Sequence, residues 1–334
     1  IISMHVLFFI NSKLNLNKLG GIETLNLCLT EYLAKITKKK YKIYLASICK
    51  KKILKNNVKH LPIKLLKKKN LYNFDIIIGS NDVSLFKIYK SAKKILWLHN
   101  ILQIEKSIRK NIFFPINFYR PEVVFVSKYL KNKTSNFYLF KKKNIIPNFL
   151  SNQFKLKKKN YNRKKIFVWS VQRNKGLNET ISTWIKNVYP LNRSAKLYIL
   201  GIEKAPYSSK IRYFKSKNIY FFGWISKKRL KHIYSTSMGM ICLGYDETFC
   251  LNALEANSCG LPIITFGKTA LDNYSINNYN SLIVKNYSDL ALKINYMISL
   301  KKSSLKRLSI NSINHSKKFY LDKIGKKWLN LIET

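Results

Sequence analysis

Acidic residues are scarce in this chain: 15 Asp and Glu stand against 63 Lys and Arg in 334 residues, a formal charge of +48. The position of each carboxylate is therefore informative. No two aspartates stand two residues apart, so the D-x-D pattern that would hold a cation-bridged diphosphate is missing. The five cysteines (Cys28, Cys49, Cys242, Cys250, Cys259) are odd in number and contain no C-x-x-C pair. They read as reduced core residues of a cytosolic protein, and neither they nor the five histidines show metal-ligand spacing. No apolar run is long enough to span a bilayer. The opening "IISMHVLFFINS" lacks a basic leader and a small-residue cleavage site, so it reads as a buried first strand with Met4 as the expected start. Glycine (11) and proline (7) are few, while Lys, Asn, Ile, Tyr and Phe are abundant. A strongly AT-biased genome produces that pattern without selection on binding, so the lysines read either as a solvated face or as an anion-binding surface.

What is present is enough for a large core. Apolar residues make up 46% of the chain, which at this length implies about two domains. Short apolar runs recur: "HVLFFI", "YKIYLASI", "FDIIIGS", "KKILWLH" and "VVFVS" in the first half, then "KIFVWS", "AKLYILG", "NIYFFG", "MGMICLG" and "LPIITF". Amphipathic stretches separate them. Ile22, Leu25, Cys28, Leu29, Tyr32, Leu33 and Ile36, for example, form one stripe directly after Gly20 and Gly21. The pattern predicts an α/β fold of two doubly wound parallel sheets covered by helices, with ligands in a cleft beyond the carboxyl ends of the strands. The polar, basic stretch 149–165 reads as a linker between an N-terminal domain (1–148) and a C-terminal domain (166–314). A last helix over 315–334 carries Phe319, Ile324, Trp328 and Leu331 and is expected to pack back on the domains.

Three of the scarce carboxylates fall in "DETFCLNALEANSCGLP", residues 246–262. The spacing predicts a strand end, a turn holding Glu247, and a helix from near Phe249 closed by Gly260. At ~1.5 Å per residue, Glu255 would then lie roughly 9 Å along the axis from the first turn. Between the two acids, the amides of Phe249, Cys250 and Leu251 would form a phosphate-attracting helix N-terminus. Carboxylate, phosphate site, carboxylate is the order a nucleotide-sugar requires. An exposed Glu255 and an ordinary N-terminal Glu247 would give the same spacing.

The E-x7-E pair followed by "ALEANSCGLPIIT" resembles the signature of the retaining glycosyltransferases of family 4, which adopt the GT-B fold of two Rossmann-like domains facing across a cleft. The resemblance covers most of the chain: "GGIET" at 20–24, "LHN" ending at Asn100, "IIPNF" at 145–149 and "SVQRNKGL" at 170–177 stand in the family's order. The sequence departs from the family at Thr248 and Cys250, where glycines are usual, and in a short loop from Arg173 to Lys175.

The resemblance implies a donor-binding C-terminal domain and an acceptor-side N-terminal domain that close to exclude water. Arg173 and Lys175 would neutralise the leaving diphosphate, Glu247 would orient the transferred sugar, and Glu255 would hold the ribose. His99 would hydrogen-bond a sugar hydroxyl, and Gly20 and Gly21 would let the donor approach the backbone. The implied activity is retaining, metal-independent hexosyl transfer from a nucleotide-diphosphate sugar, without cofactor, to a glycan or lipid-linked acceptor in polysaccharide or lipopolysaccharide biosynthesis. The expected location is the cytoplasm, with peripheral attachment to an anionic inner membrane face through the lysines. Two rivals remain: a degenerate protein of this fold binding nucleic acid or anionic lipid, and another enzyme on the same scaffold, such as a sugar phosphorylase or epimerase. Nucleic acid is not the expected partner, because Glu247 and Glu255 would repel a polyanion.

Overall fold

A computed structural model describes residues 3–14, 19–38, 40–49, 51–68, 72–155, 161–170, 175–202 and 209–334. The chain divides into two compact units, Ile1–Ser151 with Phe319–Thr334, and Asn152–Lys318.

The first unit is built on eight strands: β1 (Met4–Phe9), β2 (Tyr41–Ser47), β3 (Ile53–Lys55), β4 (Val58–Pro62), β5 (Ile76–Ser80), β6 (Lys93–Leu98), β7 (Glu122–Phe125) and β8 (Lys142–Ile145). Their order is β3-β4-β2-β1-β5-β6-β7-β8, parallel throughout except for the β3/β4 hairpin. The five runs that read as strands are all here, and for the expected reason. Val6 to Phe9 of β1 and all of β5 are buried, so both faces of the sheet are covered. The hairpin has no such apolar run, and every residue of β3 is exposed. It forms because Asn56 and Asn57 take φ of 49° and 62°, the left-handed pair a two-residue hairpin turn requires. The helix Gly21–Thr37 follows β1, and the terminal helix Leu321–Glu333 returns to the same unit. There the buried Trp328 ring lies 4.7 Å from that of Trp97 and 6.2 Å from that of Phe8, anchoring the chain's end in the first core.

The second unit has six parallel strands: β9 (Ile166–Trp169), β10 (Lys196–Leu200), β11 (Ile219–Phe222), β12 (Gly239–Cys242), β13 (Ile263–Thr265) and β14 (Ser281–Ile283). Their order is β11-β10-β9-β12-β13-β14. From β9 the chain winds outward to β11, then restarts on the other side of β9 with β12. That reversal places a topological switch point between the carboxyl ends of β9 and β12, where an open α/β sheet leaves a crevice for ligands. In the first sheet the equivalent point lies between β1 and β5.

Within the stretch 149–165, Phe149, Leu150, Phe154 and Arg163 are buried. The Arg163 guanidinium donates to the carbonyls of Tyr234 (2.8 Å), Ser237 (3.2 Å), Cys259 (2.9 Å) and Gly260 (2.7 Å). It thereby ties the first strand of the second unit to the C-terminal ends of two helices, Lys227–Thr236 and Leu251–Ser258. Burial lowers its pKa to about 10, which leaves it charged against those carbonyl dipoles.

Candidate functional site

Lys175 lies just beyond the carboxyl end of β9, and Glu247 in the turn after β12. At the switch point the two form an ion pair, Nζ to Oε1 at 2.8 Å, with both side chains largely buried. Gly244 makes the approach possible: a Cβ there would stand 2.9 Å from Lys175 Cδ and 3.0 Å from Glu247 Cγ. Arg173 lies outside the described residues.

The turn leading from Glu247 is fixed by groups distant in sequence. The Ala270 amide donates to the Glu247 carbonyl at 3.0 Å, and the buried Tyr274 hydroxyl lies 2.6 Å from the Phe249 carbonyl and 2.8 Å from that of Cys250. The helix then runs Leu251–Ser258, with Cys250 as its N-cap at φ 61°. It begins two residues later than the expected start near Phe249. Cys250 takes the left-handed conformation that glycine adopts freely, and this ends the turn. Glu255 is consequently about one turn into the helix, roughly 6 Å along its axis from Leu251, instead of two turns from Phe249. The C-terminus matches expectation: Gly260 follows the cap Cys259 at φ 72°.

Glu255 is buried, and the Lys227 ammonium donates to its Oε1 at 3.1 Å. Burial raises its carboxyl above the usual range, and Lys227 opposes that rise. Its Oε2 is also buried and has no hydrogen-bond partner among the described residues. A buried acceptor left in this way costs roughly 1–3 kcal/mol, a cost that a donor hydroxyl would remove. On the same helix the side-chain Nδ2 of Asn252 donates to the carbonyl of Ser170, tying the helix to the end of β9.

Fold contacts also assemble a group that sequence spacing did not reveal. Ligand atoms of Cys242, Glu247 and Cys250 all lie within 4.8 Å of one another, and the two Sγ atoms are 3.5 Å apart. The thiol of Cys250 is pushed well above its usual range, first by its contact with Cys242 and then by burial.

In the first unit Gly20 caps the helix Gly21–Thr37 beyond the carboxyl end of β1, and its carbonyl accepts from the Thr24 amide and hydroxyl at 3.0 and 2.8 Å. His99 follows β6. Its amide donates to Asn81 Oδ1 at 2.8 Å and its ring lies 4.6 Å from that of Trp97. Burial depresses the imidazole pKa to about 3, so His99 is neutral at ordinary pH. The structure thus joins Lys175 to Glu247, and Phe249, Cys250 and Leu251 to the start of the helix that carries Glu255. Gly20, Gly21 and His99 belong to the other unit.

By sequence, no curated protein matches this chain. Among solved structures it is similar to sucrose-phosphate synthase from Thermosynechococcus elongatus, with a TM-score of 0.75 at 13% identity, covering 99% of this chain and 98% of that one. WaaG, a glycosyltransferase involved in lipopolysaccharide biosynthesis, gives a TM-score of 0.71 at 12% identity over 98% and 99% of the two chains. Anabaena HepE in complex with UDP-glucose gives 0.71 at 14% identity over 98% and 99%. These likenesses identify the fold as GT-B. The model of one family, glycosyl transferases group 1, matches residues 148–315, half of the chain and nearly all of the second unit. The chain belongs to the group 1 glycosyl transferases.

Proposed function

We propose that this glycosyltransferase moves a sugar, with retention at the anomeric carbon and without a divalent metal, from a nucleotide-diphosphate sugar to a cell-surface glycan or glycolipid. The observation that carries the reading is the site at the β9/β12 switch point. It pairs Lys175 with Glu247 and starts a helix whose Glu255 keeps a buried oxygen without a partner among the described residues. Its neighbour in fold, HepE, is known in complex with UDP-glucose, which supports the donor class.

In this reading Glu255 Oε2 accepts from the ribose diol, while the first amides of the helix, at Cys250 and Leu251, and that of Phe249 face the diphosphate. Arg173 and Lys175 stabilise the charge that builds on the leaving diphosphate, and Glu247 orients the sugar. His99, neutral and therefore able both to donate and to accept, holds a sugar hydroxyl at the acceptor side, and Gly20 and Gly21 admit the donor close to the backbone. The acceptor oxygen bonds to the anomeric carbon on the face from which the diphosphate leaves. The bond to the diphosphate oxygen breaks, and the acceptor proton passes to that oxygen. Residues 1–148 take the acceptor side and 166–314 the donor side, with the enzyme held peripherally on the inner face of an anionic membrane.

The test is a panel of nucleotide-sugars, with donor hydrolysis and transfer measured for the wild type and for Lys175→Ala. Turnover of one donor, lost in the variant while the fold is retained, supports the reading. Binding and turnover of none would remove it.

A further inference from the structure

The helix Phe113–Tyr119 in the first unit carries Phe118, at 79% exposure the most exposed large apolar side chain among the described residues. Phe114 is 61% exposed, and four-residue spacing sets the two rings on one side of the helix. A neighbouring side is anchored. Phe113 meets Tyr138 with ring centroids 5.4 Å apart, and the Leu139 amide donates to Asn117 Oδ1 at 2.8 Å. Those contacts hold residues 138 and 139 against the helix, and they leave Phe137 beside it, 72% exposed. Three phenyl rings thus face water from a folded base, where ordinary packing would have hidden them.

The rim of this patch is basic. Lys110 precedes the helix, and Arg120 caps its C-terminus. The Lys141 amide donates to the Pro121 carbonyl at 3.1 Å, which brings Lys142 and Lys143 of the edge strand β8 alongside. All five cations are exposed. Between residues 104 and 145 the acidic residues are Glu105 and Glu122 alone, and Glu122 pairs with Lys93 at 3.3 Å. Exposed aromatic rings inside a cationic rim match a lipid headgroup layer, with anionic phosphates outside and acyl chains beneath.

From this we infer that the helix Phe113–Tyr119, with the segment around Phe137, is the surface by which the chain docks on an anionic bilayer, the rings entering at headgroup depth. The inference rests on the peripheral attachment proposed above and assigns it to one face. Under it, most of the chain's other lysines are a solvated surface with no share in docking.

The experiment uses the full chain and vesicles of phosphatidylglycerol with phosphatidylcholine, compared with phosphatidylcholine alone. The bound fraction is expected to be high only with the anionic vesicles and to fall as salt rises. Phe114→Ser with Phe118→Ser, and separately Lys141→Gln, Lys142→Gln and Lys143→Gln together, should each weaken binding roughly tenfold or more. Lys301→Gln, Lys302→Gln and Lys306→Gln together, in the second unit, should change it less than about twofold by the same reasoning. Phe118→Trp should add a blue-shifted emission on anionic vesicles that brominated acyl chains quench. Vesicle binding that the two patch variants keep, or that the second-unit variant loses equally, overturns the assigned face and leaves peripheral attachment standing. No preference for anionic vesicles in the wild type overturns the attachment itself, and donor turnover, measured in parallel, separates that failure from loss of the enzyme. Self-association without lipid that Phe118→Ser abolishes would identify the patch as an interface between copies and would also overturn the inference.

Discussion

Lys175 Nζ stands 2.8 Å from Glu247 Oε1, and Gly244 is the residue that leaves room for the pair. Gly244→Ala would force its new methyl against both side chains at once. With the pair in the proposed catalytic role, the expected result is a loss of transfer activity of about tenfold or more, since small displacements of catalytic groups are costly, with little change in thermal unfolding. A Gly244→Ala enzyme with wild-type kcat would show that the pair's geometry does not matter to the reaction.

The two acids should separate kinetically. If Glu255 holds the ribose as proposed, Glu255→Gln removes a charge-assisted acceptor and should weaken nucleoside diphosphate binding by roughly 1.5–3 kcal/mol, read by calorimetry. Glu247→Gln should depress turnover with only modest loss of nucleotide affinity. If both variants bind and turn over as the wild type does, the assigned site is wrong.

How much of this was legible in the sequence depends on where each residue's partner lies. The ten apolar runs became strands because a buried parallel strand needs little beyond its own local composition. The β3/β4 hairpin escaped because β3 is only three residues long and fully exposed at the sheet edge, while Lys59 and His60 interrupt the apolar residues of β4; Asn56-Asn57 was its one signal. The late start of the helix Leu251–Ser258 escaped because Phe249 and Cys250 continue its apolar pattern, while the φ of 61° at Cys250 is set by tertiary contacts. Lys227 and Arg163 were not legible at all. Their partners lie 28 residues away at Glu255 and up to 97 away at Gly260, and in a chain with 63 basic residues nothing distinguished these two.

Arg163 is expected to be the most sensitive cation for stability. Replacing it with Met strands carbonyls of Tyr234, Ser237, Cys259 and Gly260 in the interior, and should cost about 3 kcal/mol or more in urea unfolding. Arg163→Lys should recover only part of this, because one ammonium cannot reach both helix ends with a planar fork. Full stability in the Met variant would show that those carbonyls find other donors.

His99 makes a signed contribution to the pH profile. Its folded pKa, about 3, lies below the ordinary 6.5, so between these values the unfolded chain binds the extra proton. Stability from this group is complete above pH ~6.5 and is lost as pH falls toward 3. His99→Gln should therefore narrow the difference in unfolding free energy between pH 4.5 and pH 7.5 relative to the wild type. An unchanged difference would place the imidazole in water. Glu255 works in the opposite direction: its raised carboxyl contributes stability below its unfolded pKa that is lost as pH rises through the folded one.

Metal independence is the prediction with a specific rival in the fold. Cys242, Glu247 and Cys250 place two sulfurs and a carboxylate within 4.8 Å, a donor set that would suit zinc. Two features oppose its use in transfer. Glu247 is already engaged by the Lys175 ammonium, and a metal ion would have to displace protons from thiols, that of Cys250 being held well above its usual pKa. In the proposed reading Lys175 and Arg173 would also supply the positive charge that a metal would otherwise bring to the diphosphate. Transfer should proceed at the wild-type rate in the presence of a strong chelator, and added magnesium or manganese should not raise it. Lys175→Ala should lower the rate with or without metal. Zinc, by contrast, should inhibit by drawing Glu247 away from Lys175, and Cys242→Ser should weaken that inhibition while leaving chelator resistance intact. Activity that vanishes on chelation and returns with a divalent ion would overturn the assignment and move the leaving-group charge from Lys175 to a metal.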